Sequence, residues 1–274
     1  MYLVKQTTEK NLYEEIERTL QTRNKLGLKD FMLKKLGAIF QSDYSEIFSK
    51  IIEETATEKD NEATEESRFL FFIRHTLLDF VAMFKYLTPK YEWIEKDVES
   101  IKKLNELLVL RLSDACELLM VKVSGPPHKS TRRHTVGDAK KLLMMAVCSL
   151  CRVLASNLNC PIKDAKKVRT YSIQAIGNRI TLFAISLAAK KKYLAIELAS
   201  CVVPFSYEAI TCYTRIFNFF AIIRNEFIEQ EKLQRKIRSF IPSADNTEDL
   251  REWLHLSDDN LTPVADNDMD ELFL

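Results

Sequence analysis

A chain of 274 residues, 46% of them apolar, is long enough to bury a core that needs neither disulfides nor a structural metal. No uncharged apolar run approaches the ~20 residues that span a bilayer, and the first residues lack a secretory signal's pattern, so a cytoplasmic or nuclear protein with no membrane partner is expected. The net charge of +1 hides a split: from Asp245 onward ten acids face Arg251 alone, leaving that stretch at −9 and the rest of the chain near +10.

Apolar spacing predicts helices over the first ~57 residues. Leu12, Ile16 and Leu20 form one stripe, and Phe31, Leu36, Ile39 and Phe40 a second. Tyr44, Ile47, Phe48, Ile51 and Ile52 form a third, with Ser42-Asp43 suited to cap its start. Glu53–Glu66 is acidic and reads as a solvated connection. From Ser67 to about Leu87 the spacing of Phe69, Ile73, Leu77, Phe80, Val81 and Phe84 predicts a strong helix, ended ahead of Pro89.

Strand character begins near Glu106. Leu107–Leu112 and Glu117–Val123 read as a β-hairpin about Ser113–Cys116, followed by a helix over Thr135–Leu158. Lys167–Ile176, Arg179–Ala188 and Tyr193–Val203 read as three further strands. Gly177-Asn178 suits a two-residue hairpin turn of either primed type, and Lys190–Lys192 marks the next turn. A long helix from about Ser206 to Ile237 should turn Ile210, Tyr213, Ile216, Phe217, Phe220, Ile223 and Phe227 inward. In the tail, only Glu248–Leu256 suggests a short helix.

This order predicts an α/β or α+β fold: a mixed central sheet of about five strands flanked by helices. A helical annex over 1–57, a core over 65–240 and a flexible acidic tail over 245–274 would be its parts. The helix over Thr135–Leu158 should bury Leu142, Met145 and Leu150 or their neighbours against one sheet face.

Five glycines leave no Gly-rich phosphate loop. Cys148-x-x-Cys151 lies inside a helical run with no second such pair, so core thiols are expected rather than half a zinc site. Asp138 and Lys141, one turn apart near a helix start, read as a first-turn carboxylate and an i,i+3 ion pair.

Glu117-Leu-Leu-Met-Val-Lys-Val-Ser-Gly-Pro-Pro127, then Thr135-x-x-Asp-x-x-Lys-Leu, then Tyr171-Ser-Ile-Gln174 resemble the core of PD-(D/E)XK nuclease-like proteins of the uncharacterised type found in early-diverging fungi. The resemblance covers roughly Glu65–Glu229. It implies a glutamate from an upstream helix, matched best by Glu66, an acid on a first strand, and an acid-x-lysine pair on the next. Such carboxylates would hold magnesium, a hard cation that polarises a scissile phosphate. Here the first strand offers Leu107 and Leu108, and the second offers Lys122 and Ser124. The resemblance therefore implies the fold with a degenerate catalytic motif: a pseudo-nuclease at positions Glu66, Lys122 and Ser124, with no cofactor.

Two rivals stay open. One is an active magnesium nuclease with relocated ligands Glu66, Asp114 and Glu117. The other is a helical protein–protein interaction module in which 106–203 form no mixed sheet.

His128, Lys129, Arg132, Arg133 and His134, with Lys163, Lys166, Lys167, Arg169 and Lys190–Lys192, form a candidate phosphate-binding face. Lys129, Arg132, Arg133, Lys166 and Lys167 are its nominated nucleic-acid contacts. The acidic-hydrophobic end Asp266–Leu274 suits a groove on a protein partner.

Overall fold

The computed structural model describes residues 27–56, 64–86, 111–112, 116–117, 119–124, 132–240 and 249–254. Three helices come first: α1 (Asp30–Phe40), α2 (Ile47–Glu54) and α3 (Glu65–Tyr86). Two short strands, β1 (Arg111–Leu112) and β2 (Cys116–Glu117), precede β3 (Leu119–Ser124) and α4 (Arg132–Ala155). The chain continues through a single helical turn α5 (Ile162–Ala165), strands β4 (Arg169–Ile176), β5 (Arg179–Ala189) and β6 (Lys192–Val202), and the long helix α6 (Tyr213–Arg238). A 3-10 turn, Tyr207–Cys212, leads into α6, and another occupies Leu250–Trp253.

The sheet is mixed, in the order β3-β4-β5-β6. β3 and β4 run parallel, joined by α4, and β4, β5 and β6 form an antiparallel meander. The predicted meander strands agree with β4–β6 to within two residues at each end. Of the primed turns open to Gly177-Asn178, positive φ at Gly177 alone (60°) selects the type II′ pattern, which needs glycine at its first central position. One expectation fails. The described part of Leu107–Leu112 pairs only with β2, as a separate two-stranded ribbon, so the main sheet has four described strands instead of five.

Alternation along the strands builds two cores. Leu119, Tyr171, Ile173, Leu182, Ala184 and Leu198 point to one face, where Ile216, Phe219, Ile222 and Ile223 of α6 cover them. Met120, Ile185, Leu187 and Tyr193 point to the other, under Leu142, Ala146, Val147, Leu150 and Leu154 of α4. Met145 is 53% exposed, unlike its expected neighbours Leu142 and Leu150, because it lies about 100° round the helix from the sheet-facing stripe. A third core joins the annex to α6: Met32, Leu36, Ile39, Ile47 and Ile51 with Phe69, Ile73 and Leu77 of α3, and Phe217 and Ala221 of α6.

Several local readings shift. Met32 is buried in place of Phe31, and Ile52 and Phe220 are exposed. Ser42 does not cap α2. Its hydroxyl donates back to the Ile39 carbonyl (2.6 Å), closing α1, and α2 starts only at Ile47. Arg132, Arg133 and His134 belong to the first turn of α4, not to a loop before it.

The seam between β4 and α6 holds a buried polar network that the sequence reading missed. Arg169 Nη1 donates to both Glu226 oxygens (3.1 and 3.2 Å), and the Tyr171 hydroxyl donates to Glu226 Oε2 (2.6 Å). Gln230 accepts from the Arg169 backbone N–H (2.8 Å) and donates to the Lys167 carbonyl (3.1 Å). Removing one partner of such a network strands a charge, so Glu226→Ala should cost about 3 kcal/mol in urea unfolding. Tyr171→Phe, which loses one hydrogen bond, should cost about 1 kcal/mol.

Burial pushes the Cys201 thiol up to about 11 and the Tyr213 phenol to about 12, and burial beside the Glu226 carboxylate pushes Tyr171 well above its ordinary value. Each group holds its proton more tightly folded than unfolded. Their contribution is therefore complete below the unfolded values, ~8.5 for a thiol and ~10 for a phenol, and lost as pH rises through the folded ones. The melting temperature should fall steadily from pH 8 to pH 11, and Tyr171→Phe should flatten the upper part of that fall.

Candidate functional site

Lys122 and Ser124, the acid-x-lysine positions of the motif, fall at the carboxyl end of β3, which runs parallel to β4. In open α/β sheets this is where ligands most often sit. Lys122 lies opposite Gln174 in the register, and Ser124 opposite Ile176. Thr170 donates to the Ala146 carbonyl of α4 (2.8 Å), so Thr170, Ser172 and Gln174 share the α4 side of the sheet with Lys122.

Lys122 Nζ lies 3.8 Å from Asp138 Oδ1. Asp138 thus reaches across to the strand instead of pairing with Lys141, the partner expected one turn on in its own helix. The lysine side chain is about half exposed and the aspartate about a quarter. Below them Ser172 is fully buried, and its hydroxyl has no hydrogen-bond partner among the described residues. The spot is a small polar patch in which the Asp138 carboxylate already faces a cation.

Glu66 does not join this patch. It opens α3 and ion-pairs with Lys29 of the annex, and α3 packs against α6, on the opposite side of the sheet from α4. Its neighbour Glu65 pairs with Arg224 of α6 at 2.9 Å, and that guanidinium holds the Glu65 carboxyl below its usual range. Leu107, Leu108, Asp114, Gly125–Pro127 and Lys129 lie outside the described residues, as do the side chains of Glu117, Ser124, Arg132 and Arg133. Among the described residues no group of three or more His, Cys, Asp or Glu is placed to hold a metal ion. Cys151 is a core thiol, its sulfur 3.0 Å from the Tyr193 hydroxyl.

The basic residues divide. Arg169 leaves the candidate face, because the network with Glu226 buries it. Lys166 and Lys167 follow α5, Lys190 and Lys191 form the β5–β6 turn, and Lys192 opens β6. The C-terminal turn Leu250–Trp253 brings the two sets to one corner. Lys190 Nζ sits 2.6 Å from Glu252 Oε2, and Lys166 Nζ lies 4.8 Å from the centre of the Trp253 ring. The Lys191 N–H, on a residue with positive φ (58°), donates to the Trp253 carbonyl (2.8 Å).

Lys167 and Lys236 flank Asp164 at 3.5 and 2.8 Å. Burial pushes the Asp164 carboxyl up, and the two ammonium groups more than offset it, so its pKa falls below the ordinary value. Sequence reading grouped these lysines by charge alone. The contact with Trp253 had no local signal, since it spans nearly 90 residues of chain.

No helix among the described residues is long and apolar enough to cross a membrane. In comparison with family models, curated proteins and solved structures, the chain matches none.

Proposed function

We propose that this chain is a catalytically degenerate relative of the nuclease-like proteins it resembles, binding nucleic acid non-specifically without cutting it. The observation that carries the reading is Lys122. Where the resemblance calls for a metal-binding carboxylate, an ammonium stands at the end of β3, facing Asp138. An ammonium contributes no lone pair to a hard cation and repels it. Glu66, the remaining acid of the motif, is paired with Lys29 in another layer of the fold. The binding half of the reading is supported by the lysines of the α5 and β5–β6 turns, which meet at one corner and suit phosphate contacts that carry no base information. Among the described residues all four strands of the mixed sheet lie within 119–202, which speaks against a purely helical module.

Three measurements test this. Calorimetry at millimolar magnesium or manganese should show no specific binding, and plasmid and single-stranded DNA should stay intact. Metal-dependent cleavage that Glu66→Ala or Asp114→Ala abolishes would establish relocated ligands and reject the reading. Oligonucleotide affinity should fall steeply with salt, and Lys166→Glu with Lys167→Glu should weaken it about tenfold at ~50 mM salt.

A further inference from the structure

The segment Asp249–Leu254 is bound to the protein in the way a ligand would be. Leu250 and Leu254 are buried in the α4 core, and Asp249 caps the turn by accepting from the Arg251 N–H (2.9 Å). Between these anchors Glu252 is exposed, and Trp253 is partly buried, packed against the same core. The carboxylate meets Lys190 and the indole ring meets Lys166. An anion on one lysine and an aromatic face on a second are the two contacts a single-stranded nucleic acid offers, through its phosphates and its bases.

We infer that Asp249–Leu254 is an intramolecular occupant of the nucleic-acid-binding corner, and that the strand must displace its Glu252 and Trp253 side chains to bind there. This rests on the nucleic-acid reading above and adds the surface and its gate. The segment is tethered, so its effective concentration at the corner is high, and a free strand competes at a disadvantage. Both ends of the Lys190–Glu252 pair are more than half exposed, so the ionic part of the contact is weak and salt-sensitive, whereas the leucine anchors are neither. Displacement therefore lifts the Glu252–Trp253 portion, breaking the Lys191 N–H bond to the Trp253 carbonyl and the partial packing of the indole, while Leu250 and Leu254 keep the segment close.

The test uses the full chain with Trp93→Phe, which leaves Trp253 as the single tryptophan. Two signals are read: anisotropy of a labelled oligothymidylate, and quenching of Trp253 fluorescence by acrylamide, a neutral quencher indifferent to the charges being changed. Glu252→Lys removes the exposed anion without touching the core. It should raise oligonucleotide affinity about tenfold at ~50 mM salt and make Trp253 more quenchable. Adding Lys166→Glu and Lys190→Glu should cancel the gain in affinity. Saturating oligonucleotide should expose Trp253 in the chain that keeps Glu252.

If oligonucleotide binds equally well with and without Glu252→Lys, and Trp253 quenching is unchanged by the bound strand, the segment is a fixed part of the core. The gate is then rejected while nucleic-acid binding survives. If neither the full chain nor Glu252→Lys binds oligonucleotide at ~50 mM salt, the nucleic-acid reading itself fails and this inference falls with it.

Discussion

One helix holds this fold together. α6 contributes to all three apolar cores: Phe217 and Ala221 to the annex, Ile216, Phe219, Ile222 and Ile223 to one face of the sheet, and Ile237 to the α4 side. Such a helix must be apolar around much of its circumference in its first half, and Tyr213–Phe227 is. The annex has no other described helix of comparable length to pack on than α3, which itself leans on α6 through Phe72 and Phe217. Asn218 of α6 also accepts from the Leu28 N–H (2.9 Å), and a side chain at Gly27 would collide with it. The apolar cores alone would allow α6 to slide. The Arg169–Glu226–Tyr171 network fixes its register on β4, because any shift would leave a buried charge unpaired.

What the sequence revealed followed from periodicity. The period-two runs of β4, β5 and β6, punctuated by Gly177 and the lysine turn, and the period-3.6 stripes of α3 and α6 were legible because one buried face repeats along each element. Boundaries were less legible where no apolar stripe reports them: α4 starts three residues early, within a basic stretch, and α2 starts late, after a turn that Ser42 and Asp43 close. The short helical turn α5 has too few residues to show a period at all. Glu226 and Gln230 were missed for a different reason. They sit one and two turns beyond Ile222 and Ile223 on the inward face, and a polar residue at such a position is the only trace a buried network leaves in sequence.

The candidate site divides along the same line. Lys122, Ser124 and Asp138 could be located on strand and helix from local pattern, but the pairing of Lys122 with Asp138 depends on how α4 crosses the sheet. Glu66 was assigned from the resemblance, and its placement with Lys29 depends on α3 packing on the α6 side. The lysine corner is assembled from turns nearly 25 residues apart in sequence and closed by a turn some 60 residues further on. Charge composition signalled a basic body and an acidic end, and only the tertiary contact shows where the two touch.

The proposed nucleic-acid contact lies at the lysine corner, not at the end of β3, where a nuclease would work. Amide hydrogen exchange with and without single-stranded oligonucleotide distinguishes the two places directly. The expected result is slower exchange over 163–167 and 190–192, faster exchange over 251–253, and no dependence on magnesium. Magnesium-dependent protection confined to 119–124 and the first turns of α4, with the corner unchanged, would contradict it.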